Sequence, residues 1–208
     1  MSRCFSIIAG VMVITTVMAC RVNEPPATMV EEDMEPDFPR VELSSLRVEP
    51  DDGEDFDPDA CAQLLSRVAE AGVTHIDDLR NVTVSLEDFF SGNRTRHSIA
   101  ANVEPPAPYD TAQGWFDLLK KVRSTEGVND VRVSITMIEP YEDGRLGMWP
   151  YSDAVWINSS LDRQSVARLV APLEPSEVVD ASFSDSGREL PPPSAPPAGT
   201  RWYWIWWD

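Results

Sequence analysis

Cysteine is scarce in this sequence, and its placement leaves no pair for a disulfide in the folded part of the chain. The 208 residues hold three cysteines, Cys4, Cys20 and Cys61. Cys4 directly precedes an N-terminal apolar stretch and Cys20 directly follows it, so Cys61 is the one thiol in the remaining body. A lone thiol cannot form an internal disulfide. The fold must therefore depend on a hydrophobic core, which a body of about 150 residues is long enough to bury.

Histidine and the motifs of common enzymes are also missing or rare. There are two histidines, His75 and His97, and no phosphate-binding glycine loop, H-E-x-x-H, C-x-x-C or G-x-S-x-G motif. His75 is followed closely by Asp77 and Asp78, but nothing else at ligand spacing supports a metal site. The sequence therefore predicts no catalytic residue, no bound metal and no cofactor.

Basic residues are few for a chain of this length. Seventeen Lys and Arg stand against 35 Asp and Glu, which gives a formal net charge of −18. A chain of this charge repels a phosphate backbone, so a nucleic-acid partner is not expected. A basic protein partner, or solubility alone, is compatible with it.

Long apolar runs are absent, and the one apolar stretch at the N-terminus is too short to span a membrane. It runs from Phe5 to Ala19 and is interrupted by Ser6 and Gly10. A spanning helix needs about 20 apolar residues. With Arg3 ahead of it and a small residue at its end, the stretch has the layout of a secretory signal peptide over residues 1–19.

The four residues Val17-Met18-Ala19-Cys20 resemble the lipobox of bacterial lipoproteins. In that family the cysteine receives a diacylglycerol and the chain is cut just before it, which here implies lipidation of Cys20. Val17 and Met18 depart from the commonest lipobox residues. The resemblance predicts a membrane-anchored lipoprotein of the bacterial cell envelope, on the periplasmic or outer face. Plain secretion and an uncleaved anchor remain as alternatives, and inner and outer membrane are not distinguished.

Residues 20–57 have the composition of a disordered acidic tether behind the lipidated cysteine. Residues 21–57 hold 13 Asp or Glu and five prolines, with few aromatic residues. Low hydrophobicity combined with high charge cannot bury enough surface to offset the entropy lost on ordering. We therefore expect a shortened chain that begins near Glu54 to keep its stability, and we expect the folded domain to span residues 58–208.

Cap signals predict where the helices of this domain begin. Asp57 followed by Pro58 favours a helix start, and Cys61 then falls on its apolar face as a buried residue. Ser85 resembles the first residue of a capping box, and Thr111 and Ser160 can each cap a further helix.

Alternating apolar residues predict the strands that complete the fold. The predicted strands begin near Ile99, Val131, Val155 and Val178, and the helices capped by Thr111 and Ser160 lie between them. The resulting order β-α-β-β-α-β predicts an α+β, ferredoxin-like antiparallel sheet with two helices on one face. The helix at 58–71, the short helix after Ser85 and a short strand at 81–84 are additions to this core.

The C-terminus ends in a tryptophan-rich segment from Trp202 to Trp207. In an extended chain, Trp202, Trp204 and Trp206 share one face, and Tyr203, Ile205 and Trp207 share the other. Both faces are apolar, which favours a packed strand over a glycan-stacking platform. The proline-rich residues 191–197 would deliver this strand to an edge of the sheet.

The connection between the two central strands, roughly residues 139–152, is long for a hairpin, and such loops are often functional. It places aromatic residues beside carboxylates, a mixture that suits a protein interface or sugar stacking. The predicted interaction surface comprises Tyr141, Asp143, Trp149 and Tyr151. The alternative is that Trp149 and Tyr151 fold back to cover the end of the sheet.

Residues 84–208 resemble a family of uncharacterised bacterial proteins. The resemblance rests on the stretches 85–93, Met148-Trp149-Pro150-Tyr151-Ser152-Asp153, 171–178 and the closing Trp206-Trp207-Asp208. It implies no activity, since none is known for the family.

These observations favour a membrane-anchored lipoprotein with a non-catalytic domain that binds an envelope protein or glycan. An inhibitor or immunity-type protein is the first alternative, because an acidic surface can speed encounters with a basic envelope partner. An envelope hydrolase is a more distant one.

Overall fold

The computed structural model describes residues 40–79, 82–181 and 192–208. The predicted signal peptide, Cys20 and residues 20–39 of the predicted tether lie outside the described residues. The described residues belong to one compact unit. Among the described residues, no helix is long and apolar enough to cross a membrane.

The described chain is a mixed α+β structure. Its helices are α1 (Pro58–Glu70), α2 (Leu86–Phe90), α3 (Ala112–Arg123) and α4 (Arg163–Val170). Its strands are β1 (Arg47–Val48), β2 (Thr83–Ser85), β3 (Val128–Ser134), β4 (Arg145–Leu146), β5 (Ala154–Ser159), β6 (Glu177–Asp180) and β7 (Arg201–Trp206).

Most of the predicted helix starts are confirmed by side-chain caps. The Asp57 carboxylate accepts a hydrogen bond from the backbone N–H of Asp59 at 2.9 Å, ahead of α1. Ser85 caps α2 and Thr111 caps α3 in the same manner. The cap predicted for α4 is wrong by two residues, because Asp162 rather than Ser160 accepts the N–H of the first turn. A carboxylate in this position also complements the positive end of the helix.

The main sheet has five strands in the order β2-β3-β5-β7-β6, and every neighbouring pair is antiparallel. The predicted strand at 99–103 is wrong: Ile99 forms one isolated bridge with Ser152 and the chain then turns. The edge beside β3 is taken instead by β2, at the short strand predicted near residues 81–84. The specific ferredoxin-like topology is therefore not confirmed, whereas the α+β class and the antiparallel sheet are.

The tryptophan-rich segment forms β7, and its two predicted faces are confirmed. Tyr203, Ile205 and Trp207 are fully buried in the main core, together with the apolar faces of the helices. Trp202 and Trp204 pack on the opposite face of the sheet with Trp156. Its predicted place at a sheet edge is wrong, because β7 lies between β5 and β6. Both edges of β7 are therefore paired, one with β5 and the other with β6.

Part of the predicted disordered tether is folded. Within residues 40–57, Leu43 and Phe56 are buried in the main core. The strand β1 pairs in parallel with β4, and Asp51 forms an ion pair with Arg145. The folded unit therefore begins well before Pro58, because a few apolar residues and one strand pairing anchor an otherwise acidic segment.

Cys61 is buried in α1, as predicted, with no exposed surface. Burial raises the pKa of its thiol to about 12. Since the thiolate is the nucleophile, a thiol with this pKa is unreactive at neutral pH.

Candidate functional site

Three chain segments meet beyond the end of β3, where backbone hydrogen bonds continue past the regular sheet. The N–H of Tyr151 donates to the carbonyl of Met137 at 2.8 Å. One residue later, the N–H of Ser152 donates to the carbonyl of Ser98, and the Ser152 carbonyl accepts from Ala100 at 2.7 Å. The segments around residues 98–101, 137 and 151–152 are therefore held side by side, although they are far apart in sequence.

The backbone at this junction is strained. Ala100 is fully buried and adopts a φ of 46°, in the left-handed region that alanine rarely occupies. Such a conformation costs about 1–3 kcal/mol and persists where the surroundings over-determine it. Here the hydrogen bond to Ser152 and the packing of Ile99 fix the turn that follows.

A cavity of about 440 Å³ opens over this junction. Its volume falls within the range of about 300–1,000 Å³ that is usual for small-molecule sites. The lining is mostly apolar and also carries four ionisable side chains other than tyrosine. The lining includes the side chains of Met137, Met148, Trp149, Tyr151, Glu54, His97, Glu139 and Asp153.

The apolar wall of the cavity holds two methionines that the fold leaves open to solvent. Met137 and Met148 are each 40% exposed. Among the described residues, the third large hydrophobic side chain with comparable exposure is Tyr141, which does not line the cavity. Methionine is flexible and polarisable, so it can adapt to ligands of different shape.

Trp149 forms the inner boundary between this cavity and the core. It is 4% exposed and contacts the rings of Phe56 and Phe89 edge-on, with centroids 5.7 and 6.5 Å away. Its buried Nε1 has no hydrogen-bond partner in the described structure. An unpaired buried donor costs about 1–3 kcal/mol, so a ligand acceptor that reached it would be favoured.

Tyr151 presents its half-buried ring to the cavity and is fixed at its hydroxyl. The hydroxyl oxygen accepts a hydrogen bond from the N–H of Ala101 at 3.2 Å. Burial raises the pKa of the phenol, with a smaller contribution from the nearby Asp153 carboxylate. The tyrosine is therefore neutral at physiological pH and acts as a hydrogen-bonding and stacking group.

Three carboxylates line the cavity without a cationic partner. Glu54 accepts a hydrogen bond from the Thr95 hydroxyl at 2.9 Å, and Asp153 accepts from the side chains of Trp206 and Thr136. Within residues 40–79, 82–181 and 192–208, neither of these carboxylates nor Glu139 forms an ion pair with Arg or Lys. None of the three carboxylates is therefore neutralised by a direct ion pair.

Burial raises the pKa of Asp153, and the hydrogen bonds from Trp206 and Thr136 offset this only in part. The folded state therefore holds the proton of Asp153 more tightly than the unfolded chain does. Ionisation of Asp153 lowers stability as the pH rises from below 3.8, its ordinary pKa, through its raised folded value.

We accordingly expect Asp153→Asn to raise the melting temperature at pH 7, because the amide carries no charge and its oxygen can still accept a hydrogen bond. The gain should shrink as the pH falls below the ordinary pKa of an aspartate. Thermal unfolding of both proteins from pH 3 to pH 7 checks this. An equal or lower melting temperature for the variant at pH 7 would mean that ionised Asp153 does not destabilise the folded state.

The predicted interaction surface is divided between two places. Trp149 and Tyr151 line the cavity, but Tyr141 and Asp143 do not. The Tyr141 hydroxyl donates to Asp51 and its ring lies 4.2 Å from the Arg145 guanidinium carbon. The Asp143 carboxylate oxygen Oδ2 lies 3.3 Å from the guanidinium nitrogen Nη2 of Arg47. Both residues therefore hold β1 against β4.

The two histidines have different surroundings. His97 is exposed and lines the cavity. His75 lies at the start of a short helical turn, with its Nδ1 3.6 Å from Asp78. Among the described residues, no group of three or more His, Cys, Asp and Glu side chains is placed to hold a metal ion.

The sequence did not indicate Met137, Met148, Glu54 or Asp153 as residues of one site. In the sequence, Met137 lies at the end of a predicted strand, Met148 lies in a predicted loop, and Glu54 lies in the predicted tether. One signal was available: Met148, Trp149, Tyr151 and Asp153 fall within six consecutive residues that also carry the family resemblance.

Comparison with known proteins places these residues in a family context. A family model described as "Uncharacterized protein YfbO family" matches residues 59–205, which is more than half of the chain. The protein "Uncharacterized protein YfbO" of Escherichia coli (strain K12) is 28% identical over 126 residues, covering 60% of this chain and 81% of that protein. No solved structure matches the chain.

Proposed function

We propose that this chain, which belongs to the uncharacterised YfbO family, is a membrane-anchored lipoprotein of the bacterial cell envelope whose folded domain binds a ligand without transforming it. The binding site is the cavity between residues 98–102, Met137 and residues 148–153. The anchor is the lipidated Cys20, on the periplasmic or outer face of a membrane.

The observation that carries the binding role is the exposure of Met137 and Met148 at a cavity of ligand size. Leaving such side chains in water has a free-energy cost that a bound apolar group removes, at about 25 cal/mol per Å² of apolar surface buried. The cavity floor is rigid, because Trp149 packs into the core and Tyr151 is fixed by two backbone segments. A pre-formed apolar cavity with a few polar groups is the usual form of a binding site.

The binding role is tested with a neutral apolar fluorophore, 1-N-phenylnaphthylamine, which brightens when it leaves water. We expect saturable binding, and the double variant Met137→Ser/Met148→Ser should weaken it about tenfold or more. Leu169→Ser is the matched control, since Leu169 is a half-buried apolar residue of α4 outside the cavity. Unchanged binding by the methionine variant places the ligand elsewhere and removes the basis of the proposal.

The anchoring role predicts that Cys20→Ser releases the protein from the membrane fraction or leaves its signal uncut. Two or more acyl chains hold a protein stably on a membrane. A serine has no thiol to which the diacylglycerol could be attached as a thioether. Fractionation of cells that produce each form, with the cut site read by mass spectrometry, is the measurement. A Ser variant that is cut normally and still fractionates with membranes would exclude lipidation of Cys20.

An inhibitor or immunity-type role is the second candidate, and the charge of −18 favours it. Such a charge accelerates encounters with a basic partner through long-range attraction. In that case the cavity would receive a side chain of the partner protein in place of a free small molecule.

A further inference from the structure

We infer that the ligand of this cavity is an organic cation: an ammonium or guanidinium group carried on an apolar body. This inference rests on the proposed function, and it adds the chemical class of the ligand. It follows from the combination of unpaired carboxylates, exposed methionines and an available aromatic ring.

The three carboxylates of the cavity lie beside exposed apolar side chains and have no ion-pair partner among the described residues. A pairing does occur a few residues from the cavity lining, where Arg94 lies 2.8 Å from Asp55. The nearby Arg94 thus compensates Asp55, while Glu54 and Glu139 lack any such partner among the described residues. A bound cation would supply the missing charge.

Asp153 gives the strongest local reason for a cation. It is only partly exposed, and its ionised form is held at a cost in the ligand-free protein. An ammonium group beside it would stabilise the ionised carboxylate, because opposite charges interact more strongly where water is partly excluded. The tyrosine ring at position 151 adds a face that attracts cations.

The apolar half of the cavity limits the cation to one with a hydrophobic body. A simple metal ion or a small ammonium ion would leave Met137 and Met148 in water. A metal ion would also need a cluster of at least three close ligands, which the described residues do not provide. An aromatic or branched apolar body fills the space beside the methionines while the charged end meets the carboxylates.

The experiment compares three probes that share one apolar body and differ in charge: 2-(1-naphthyl)ethylammonium, 2-(1-naphthyl)ethanol and 1-naphthylacetate. Their binding to the whole folded chain is measured by calorimetry at low salt. We expect the ammonium to bind about tenfold more tightly than the alcohol, and the acetate to bind most weakly. Equal affinities for the ammonium and the alcohol would overturn the inference but leave the binding role intact. If no probe shows binding that the Met137→Ser/Met148→Ser variant weakens, both the inference about the cation and the proposed binding role are wrong.

Charge-neutralising variants test which carboxylates cause the preference for the ammonium over the alcohol. Asp153→Asn combined with Glu139→Gln should abolish the advantage of the ammonium over the alcohol. Glu142→Gln is the matched control, because Glu142 is an exposed carboxylate of the same connection that does not line the cavity. If the control removes the preference as fully as the double variant does, the selectivity reflects overall charge and the site-specific inference is wrong.

Two sources could supply such a cation, a free amine or a basic side chain of an envelope protein. The peptide acetyl-Leu-Lys-Leu-amide and its Gln counterpart distinguish them. If the Lys peptide binds more tightly than the free naphthyl ammonium, and the Gln peptide does not bind, the cation comes from a polypeptide and the inhibitor role gains support. If the free ammonium binds more tightly than the Lys peptide, the ligand is a small amine.

Discussion

Trp207→Ala is expected to unfold the domain or to lower its melting temperature drastically. Trp207 has no exposed surface, and its ring packs edge-on against Trp115 with centroids 4.9 Å apart. Removing a buried tryptophan side chain typically costs about 3–5 kcal/mol. Its Nε1 also donates to the carbonyl of Leu173 at 2.7 Å, and orphaning that carbonyl adds about 1–3 kcal/mol. The sum is comparable to the whole stability of many domains.

Thermal and denaturant unfolding of the purified variant measure this effect. Trp206→Ala is the comparison, because Trp206 is half-buried and lies on the opposite face of β7. It should cost clearly less. A Trp207→Ala protein that melts within a few degrees of the parent would show that the C-terminal residues are not part of the core, contrary to the structure.

A shortened chain that begins at Glu54 is expected to be much less stable than one that begins at Pro39. The shorter chain loses Leu43, whose burial alone stabilises by about 1.5–3 kcal/mol. It also loses the strand β1 and with it the pairing of Arg47–Val48 to β4. For a domain of this size, the loss of Leu43 alone corresponds to a fall in melting temperature of about 5–10 °C.

Two point variants separate packing from simple shortening. Asp51→Asn breaks the ion pair with Arg145, and Asp51 also accepts a hydrogen bond from Tyr141. Asp52→Asn is the matched control, since Asp52 is an exposed neighbour. We expect only the first to destabilise the protein. Equal melting temperatures for the chains beginning at Pro39 and at Glu54 would restore the tether interpretation of residues 40–53.

Local signals predicted much of the fold. The caps at Asp57, Ser85 and Thr111 depend on side chains two or three residues from the N–H groups that they satisfy, so the sequence alone reveals them. The alternation in β7 is equally local, because successive side chains of a strand point to opposite faces. These elements were predicted with the correct faces.

The errors arose where distant contacts decide the outcome. Ile99, Ala101 and Val103 alternate like a strand, but Ala100 turns the chain after a single bridge to Ser152. Residues 40–57 have an acidic composition, which predicts disorder. Leu43 in this segment nevertheless packs against α1 and the main core. Neither contact can be read from a local window.

The candidate site was predictable only in part for the same reason. Trp149 and Tyr151 were expected at an interaction surface and do line the cavity, but the fold draws Tyr141 away to Asp51. Glu54 reaches the cavity from a segment far away in sequence, through contact with Thr95. A site assembled from four separate segments is visible only once the chain is folded.

The most direct test follows the two cavity methionines themselves. The chain labelled with ¹³C in its methionine methyl groups is titrated with 2-(1-naphthyl)ethylammonium, and Met137→Leu and Met148→Leu variants assign the two signals. Binding in the cavity predicts that these two methyl signals shift saturably, with one dissociation constant, while other methionine signals stay in place. Saturable binding without a shift of either signal would show that the ligand binds elsewhere and that the cavity is not the functional site.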